Sequence, residues 1–183
     1  MKTFLRLFII AITGLLISCS DDDSGNSFLK GRTFRLSAVL LSQPVDLNQD
    51  GIASLDMTEE IACMTGETIS FAASGNKASR MGGFYGIILS STLPPTTNEA
   101  DYYECGNLDQ FSNITYKMTS GNTVQLTIIP TMGSEHKVSY TFEGDNKLVK
   151  TEIEQYPVAY DEATHKWHNA ALEVRREFTA YSN

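Results

Sequence analysis

The chain has 183 residues, 42% of them hydrophobic, and 22 acidic against 14 basic side chains give a net charge of −8. That surplus of negative charge excludes nucleic acid as a partner, and it leaves no basic patch to hold anionic lipid headgroups. The length suits one domain that buries about 70% of its unfolded surface.

The first element is a leader. Lys2 and Arg6 are followed by an apolar run of eleven residues from Leu7 to Ile17, well short of the roughly 20 needed to span a bilayer as a helix. Leu16-Ile17-Ser18-Cys19 has a large aliphatic three places before the cysteine and a small residue just before it. In this it resembles the bacterial lipobox. The resemblance implies that residues 1–18 are a lipoprotein signal peptide, removed on export, and that Cys19 becomes the N-terminus and carries palmitate-type acyl chains. The signal takes two basic residues and no acidic ones, so the mature charge falls to −10. Partnership with a lipid bilayer would then come through the acyl chains, at about 0.8 kcal/mol per buried CH₂.

Residues 19–27 read as an acidic, flexible tether, because Ser20 to Ser27 hold three aspartates and no large apolar side chain. Ser20-Asp21-Asp22-Asp23 also resembles the acidic signal after the lipid cysteine in surface-exported lipoproteins of Bacteroidetes. An outer-membrane location facing the cell surface is what that resemblance implies.

From residue 28 to 183 the dominant period is two, which predicts strands with one dry face each. Phe34, Leu36, Ala38 and Leu40 alternate with polar or smaller neighbours, and Ile69 and Phe71 do the same. A short helix is predicted from about Ser54 to Ala62, with Ser54 as N-cap and Met57 and Ile61 on one face. Ile114 to Met118 and Val124 to Ile128 flank Ser120-Gly121-Asn122, a hairpin signal. Val138 to Phe142 turns through Glu143-Gly144-Asp145-Asn146 into Leu148 to Ile153, and a last strand runs from Leu172 to Ala180. Cys63 and Cys105 can pair in an oxidising compartment or stay as two small buried thiols.

Successive antiparallel hairpins allow a closed up-and-down β-barrel or a sandwich, and their sequential order favours the barrel. Leu29-Lys30-Gly31, Pro44 to Gly51, Ser54, Asp56, Glu60, Cys63 and the strand through Phe71 resemble the lipocalin-like domain of Bacteroidetes lipoproteins, most clearly over residues 28–75. Lipocalins place Gly-x-Trp at the first strand, where this chain has Gly31-Arg32-Thr33-Phe34. The resemblance implies an all-β, lipocalin-like barrel that binds a small apolar molecule or a glycan. The alternative is a structural or protein-interaction lipoprotein with a filled barrel. Arg176 shares its alternation with Leu172, Val174, Phe178 and Ala180 and is therefore expected to point inward, and the lipocalin resemblance implies that it packs against Phe34.

Asp46-x-Asn48-x-Asp50-Gly51 is the sharpest chemical signal. Alternating oxygen side chains before a turn glycine can converge on calcium, with the Ile52 carbonyl and nearby Asp56 or Glu60 as further ligands. Position twelve of that loop is Met57, where an acid would close the site, and an aspartate-rich turn is the competing reading. Glu162, His165 and His168 sit at helical spacing for a transition metal, although the aromatic stretch that holds them, with Tyr156, Tyr160 and Trp167, reads more simply as a loop between strands. Tyr160 and Trp167 could stack on a ligand or plug the barrel end. Gly82-Gly83-Phe84-Tyr85-Gly86 lacks the spacing of a phosphate loop, and no motif for nucleophilic or metal-dependent catalysis is present. The expectation is a protein that is not an enzyme.

Overall fold

The computed structural model describes residues 27–48, 50–82, 84–86, 104–105, 113–131, 133–161, 163–164 and 166–181, with backbone alone at 62–63, 84–86 and 104–105. The leader, Cys19 and most of the tether lie outside the described residues, as do Glu162 and His165 and the side chains of Cys63 and Cys105.

Eleven strands are present among the described residues. They are β1 (Thr33–Val45), β2 (Ser54–Asp56), β3 (Thr68–Phe71), β4 (Lys77–Met81), β5 (Phe84–Gly86), β6 (Glu104–Cys105), β7 (Asn113–Ser120), β8 (Thr123–Ile129), β9 (His136–Phe142), β10 (Lys147–Asp161) and β11 (Lys166–Tyr181). A single turn of helix, α1 (Met57–Glu60), and a 3₁₀ turn (Ala62–Gly66) connect β2 to β3. Neighbours pair in the order β11-β10-β9-β8-β7-β4-β3-β1, and β11 returns to β1 with Thr33 opposite Tyr181 and Leu41 opposite Val174. Eight antiparallel strands therefore close on themselves, which leaves the barrel no free edge. β2 lies outside the ring, on the edge of β1 beyond β3, and β5 pairs separately with β6. The all-β, up-and-down barrel expected from the sequence is the observed architecture, and its one helix is short.

Alternation decides what fills it. Phe34, Leu36, Val39 and Leu41 of β1 face inward, with a bulge between Leu36 and Ala38 that shifts the register by one residue. That bulge is why Val39 and Leu41 are buried where a strict period of two puts Ala38 and Leu40. Ile69, Phe71, Ile114, Tyr116, Val124, Leu126, Ile128, Leu148, Val174 and Phe178 complete an apolar core with Phe34 at the centre of one end. There the rings meet edge to face: Phe34 with Phe71 at 5.9 Å, Phe71 with Tyr116 at 4.9 Å and Phe34 with Phe142 at 6.1 Å.

The strap from residue 27 to 32 closes this end. Leu29 is fully buried, Phe28 packs on Phe142 at 5.4 Å, and the Arg32 guanidinium lies 4.4 Å from the Phe28 ring centre and 5.0 Å from that of Phe34. Arg32 Nη2 also donates to the Asp145 carbonyl at 2.6 Å and to Asn146 Oδ1 at 3.1 Å, tying the strap to the β9–β10 turn. The cation over Phe34 is thus Arg32, and Arg176 is engaged elsewhere. The reason is position: Arg32 sits two residues before Phe34 at the barrel rim, whereas Arg176 lies opposite Val39 and Lys150, further along the barrel.

Two local expectations are corrected. The helix starts at Met57, and its cap is Asp56 in place of Ser54: Asp56 Oδ1 accepts from Thr58 N at 2.9 Å and from Val39 N at 3.1 Å, so one carboxylate caps α1 and fastens β2 to β1. The aromatic stretch around Tyr156, Tyr160 and Trp167, expected as a loop, instead extends β10 to Asp161 and starts β11 at Lys166, which pair as a long hairpin. Asp161 stabilises its turn, with Oδ1 accepting from Ala163 N at 2.8 Å and Oδ2 from Thr164 Oγ1 at 2.7 Å.

Candidate ligand cavity

Beyond the aromatic end the interior changes character. On β10, Leu148, Lys150, Glu152, Glu154 and Tyr156 occupy alternate positions and so project to the same side as the core. Arg80 of β4 follows Ala78 inward by the same rule, and Arg176 of β11 lies between Val174 and Phe178. β9 and β10 pair only at Leu148–Phe142 and Val149–Thr141 among the described residues. Tyr140 lines the interior from one side of that parting, and Lys150, Glu152 and Glu154 from the other.

The result is a cavity of about 310 Å³, lined by Leu36, Val39 and Met64 together with Glu67, Arg80, Tyr140, Lys150, Glu152, Glu154 and Arg176. Its size suits a small molecule. Three cations face three carboxylates, so the wall is neutral. Arg176 Nη1 donates to Glu152 Oε1 at 3.0 Å, its Nη2 donates to Glu154 Oε2 at 2.8 Å, and Nη1 also reaches Glu154 Oε1. Lys150 pairs with Glu152. Arg80 donates from Nε at 3.1 Å and from Nη2 to the same oxygen of Glu67.

The ionisation of the wall follows from these pairs. Burial works against the Glu154 charge, but the bonds from Arg176 outweigh it and hold the carboxyl below the ordinary glutamate value. Burial likewise opposes the charges of Arg80 and Arg176, and their acidic partners more than restore them. The Tyr140 phenol is pushed up to about 12, chiefly by burial, and stays protonated at neutral pH. Gly82 helps set the rim: with φ at +68°, any Cβ there would lie 2.3 Å from the Gly66 carbonyl oxygen, so only glycine lets the end of β4 approach the 3₁₀ turn that carries Met64.

No protein-family model and no curated protein matches the chain. Its functional reading therefore rests on the barrel's own geometry.

The residues singled out from the sequence fall in different places. Arg176 lines the cavity; Phe34 belongs to the aromatic end. Tyr160 and Trp167 stand opposite each other in the β10–β11 hairpin with ring centres 5.4 Å apart, and neither lines the cavity. His168 lies in β11 with Nε2 3.8 Å from Asp161 Oδ2.

In the calcium candidate, Asp46 Oδ2 accepts from Gly51 N at 2.9 Å, Asn48 Oδ1 from Asp50 N at 3.0 Å and Asp50 Oδ1 from Ile52 N at 2.8 Å. These are the bonds of an Asx-type turn. Asp56 is engaged as the helix cap. Glu60 is buried, its Oε2 accepts from Leu47 N at 3.0 Å and Asn48 N at 3.2 Å, and burial raises its carboxyl above the ordinary value with Asp46 and Asp50 adding repulsion. Among the described residues no three acidic, histidine or cysteine side chains are grouped to hold a metal ion, and Asp46 Oδ1 is the one buried side-chain oxygen left without a hydrogen bond.

Sequence reasoning missed Arg80, Glu67, Tyr140, Lys150, Glu152 and Glu154. The signal for three of them was present: once Arg176 is taken as inward, pairing across the last hairpin puts Lys150 opposite it and the two glutamates further along the same face.

Proposed function

We propose that the protein is a lipid-anchored, non-catalytic binder of a small polar molecule held in the second half of its barrel. The observation that carries this reading is the neutral, charge-paired cavity of about 310 Å³. Of the two ligand classes the sequence suggests, the wall favours a glycan-sized polar molecule. An apolar guest would take water from seven polar side chains without replacing its hydrogen bonds. The filled-barrel alternative accounts for the aromatic end and leaves the cavity unexplained. Pairing of every charged wall residue supports binding over catalysis, since none is left as a free general base.

The described chain enters at the aromatic end through the strap at residues 27–32. With acyl chains on Cys19, the bilayer would lie beneath that end and the ligand would arrive from solution. Cys19→Ala is expected to release the protein from the membrane fraction.

The binding reading is tested by thermal unfolding of the full chain and of Val39→Trp, whose indole would fill the cavity, against small sugars, sugar acids and organic acids at millimolar concentration. Compounds that raise the melting temperature of the native chain and not of the variant are expected. A library in which nothing stabilises the native chain would remove the proposal.

A further inference from the structure

The cavity wall is symmetrical in charge but not in hydrogen bonding. Both Nη atoms of Arg176 are engaged by Glu152 and Glu154. Arg80 differs. Glu67 takes its Nε and Nη2 through a single oxygen, and Nη1 donates to nothing among the described residues. A guanidinium presents two donor edges, so Glu67 covers the Nε–Nη2 edge and leaves the Nη1–Nη2 edge open.

Tyr140 is 2% exposed and packs its ring on Phe178 at 5.7 Å, yet its hydroxyl has no hydrogen-bond partner among the described residues and the residue lines the cavity. Asp46 Oδ1 is the one fully buried side-chain oxygen without a partner among the described residues, so the Tyr140 hydroxyl is open to the cavity, where water or a ligand can meet it. Arg80 and Tyr140 are close enough for the cation to act on the phenol, and Arg80 and Arg176 are close enough to repel each other.

Resting on the binding reading above, we propose that the ligand carries a carboxylate, received by the open Nη1–Nη2 edge of Arg80 and the Tyr140 hydroxyl. The class follows from the wall. A carboxylate is planar and offers two oxygens at the spacing of a guanidinium edge. One negative charge also relieves the repulsion between the two arginines. A phosphate dianion fits worse: it brings two negative charges to a wall that sums to zero, in a chain of net charge −8, where the open Arg80 edge matches the two oxygens of a single carboxylate. A neutral sugar would leave the open edge without a charged acceptor. Arg176 is a positioning residue here, fixing Glu152 and Glu154, and Arg80 is the recognition residue.

The test is titration calorimetry on the purified full chain with glucuronate, succinate, glucose and glucose 6-phosphate. Binding of glucuronate or succinate, tighter than glucose and glucose 6-phosphate, is expected, and the preference between the two acids tells a sugar acid from a simple organic acid. Arg80→Lys keeps a cation beside Glu67 but loses the two-donor edge, and should weaken the bound acid about tenfold. Tyr140→Phe keeps the ring on Phe178 and should weaken it by a smaller factor. Arg175→Lys, on the outer face with Glu143 and Glu177, should change nothing. Glucose or glucose 6-phosphate binding as tightly as the acids would overturn the carboxylate assignment and leave the binding reading standing. So would acid affinities unchanged in both Arg80→Lys and Tyr140→Phe. Failure of all four probes overturns the assignment, and the wider library then decides separately whether the cavity binds anything.

Discussion

The two halves of the barrel interior are built from the same alternating strands and hold together by different means. Around Phe34 the inward positions are aromatic and aliphatic, and the rings meet edge to face. Around Arg80 and Arg176 the inward positions are charged, and a space of about 310 Å³ remains. Apolar packing tolerates no gap, because every lost contact is felt. Ion pairs at the wall of a polar cavity can stay solvated, so the second half keeps room for a guest. Stability should therefore reside mainly in the first half and ligand specificity in the second.

The sharpest way to break this contrast is Phe34→Ala. Phe34 is fully buried between Phe71, Phe142 and the Arg32 cation, so truncation should cost about 3–5 kcal/mol of unfolding free energy, read by urea denaturation, with the affinity of the folded fraction for any cavity ligand little changed. A loss under about 1 kcal/mol would mean that the aromatic end is not the packed half.

A smaller effect is expected from Arg176→Met. The change leaves Glu152 and Glu154 facing each other without their shared cation, and should cost about 1–3 kcal/mol, below the figure for a fully buried pair because the Arg176 side chain keeps 21% exposure. Its pH dependence tells more than its size. In the native chain Glu154 sits below its ordinary value of 4.5, so its contribution is complete above the unfolded value and is lost as pH falls through the folded one. In the variant that loss should shrink, flattening the stability profile below about pH 4.5. Glu177, held low by Lys147 and Arg175 on the outside of the barrel, keeps its own acid limb in both proteins and serves as an internal reference. Equal acid limbs in the two proteins would show that the Arg176 pairing adds nothing to stability.

The same contrast separates what the sequence made legible from what it hid. The barrel was readable because each strand carries several alternate apolar residues, as in Val124-x-Leu126-x-Ile128, and because short turns join neighbours. The inward register of Arg176 follows from its apolar flanks Val174 and Phe178. The cavity was not readable, since Lys150, Glu152 and Glu154 present to the interior a pattern that normally marks a solvent face, while Ile153, 66% exposed, marks the outside. Polarity alone assigns that strand backwards. Only pairing with β11, whose register is fixed by closure onto β1, reverses it. Arg80 was hidden for another reason: β4 is five residues long with Ala78 as its only other inward side chain, too little for a period to declare itself.

The smallest effect should come from Trp167, and it bears on whether a third region takes part in binding at all. Sequence reasoning offered it, with Tyr160, as a stacking platform or as a plug. In the structure the two are a cross-strand pair near the tip of the β10–β11 hairpin, tilted by 59° and 5.4 Å apart. Such a pair contributes about 0.5–1.5 kcal/mol when packed, and less here, because the hairpin beyond Val174 has no partner strand on β1 among the described residues. Trp167→Ala should therefore lower stability by no more than about 1 kcal/mol. Affinity is the more decisive readout. The cavity wall contains neither ring, so an acid bound at Arg80 should bind Trp167→Ala as it binds the native chain. A clear loss of affinity, with stability intact, would mean that the ligand extends past the wall to the hairpin and that the two-half description of the interior leaves out part of the site.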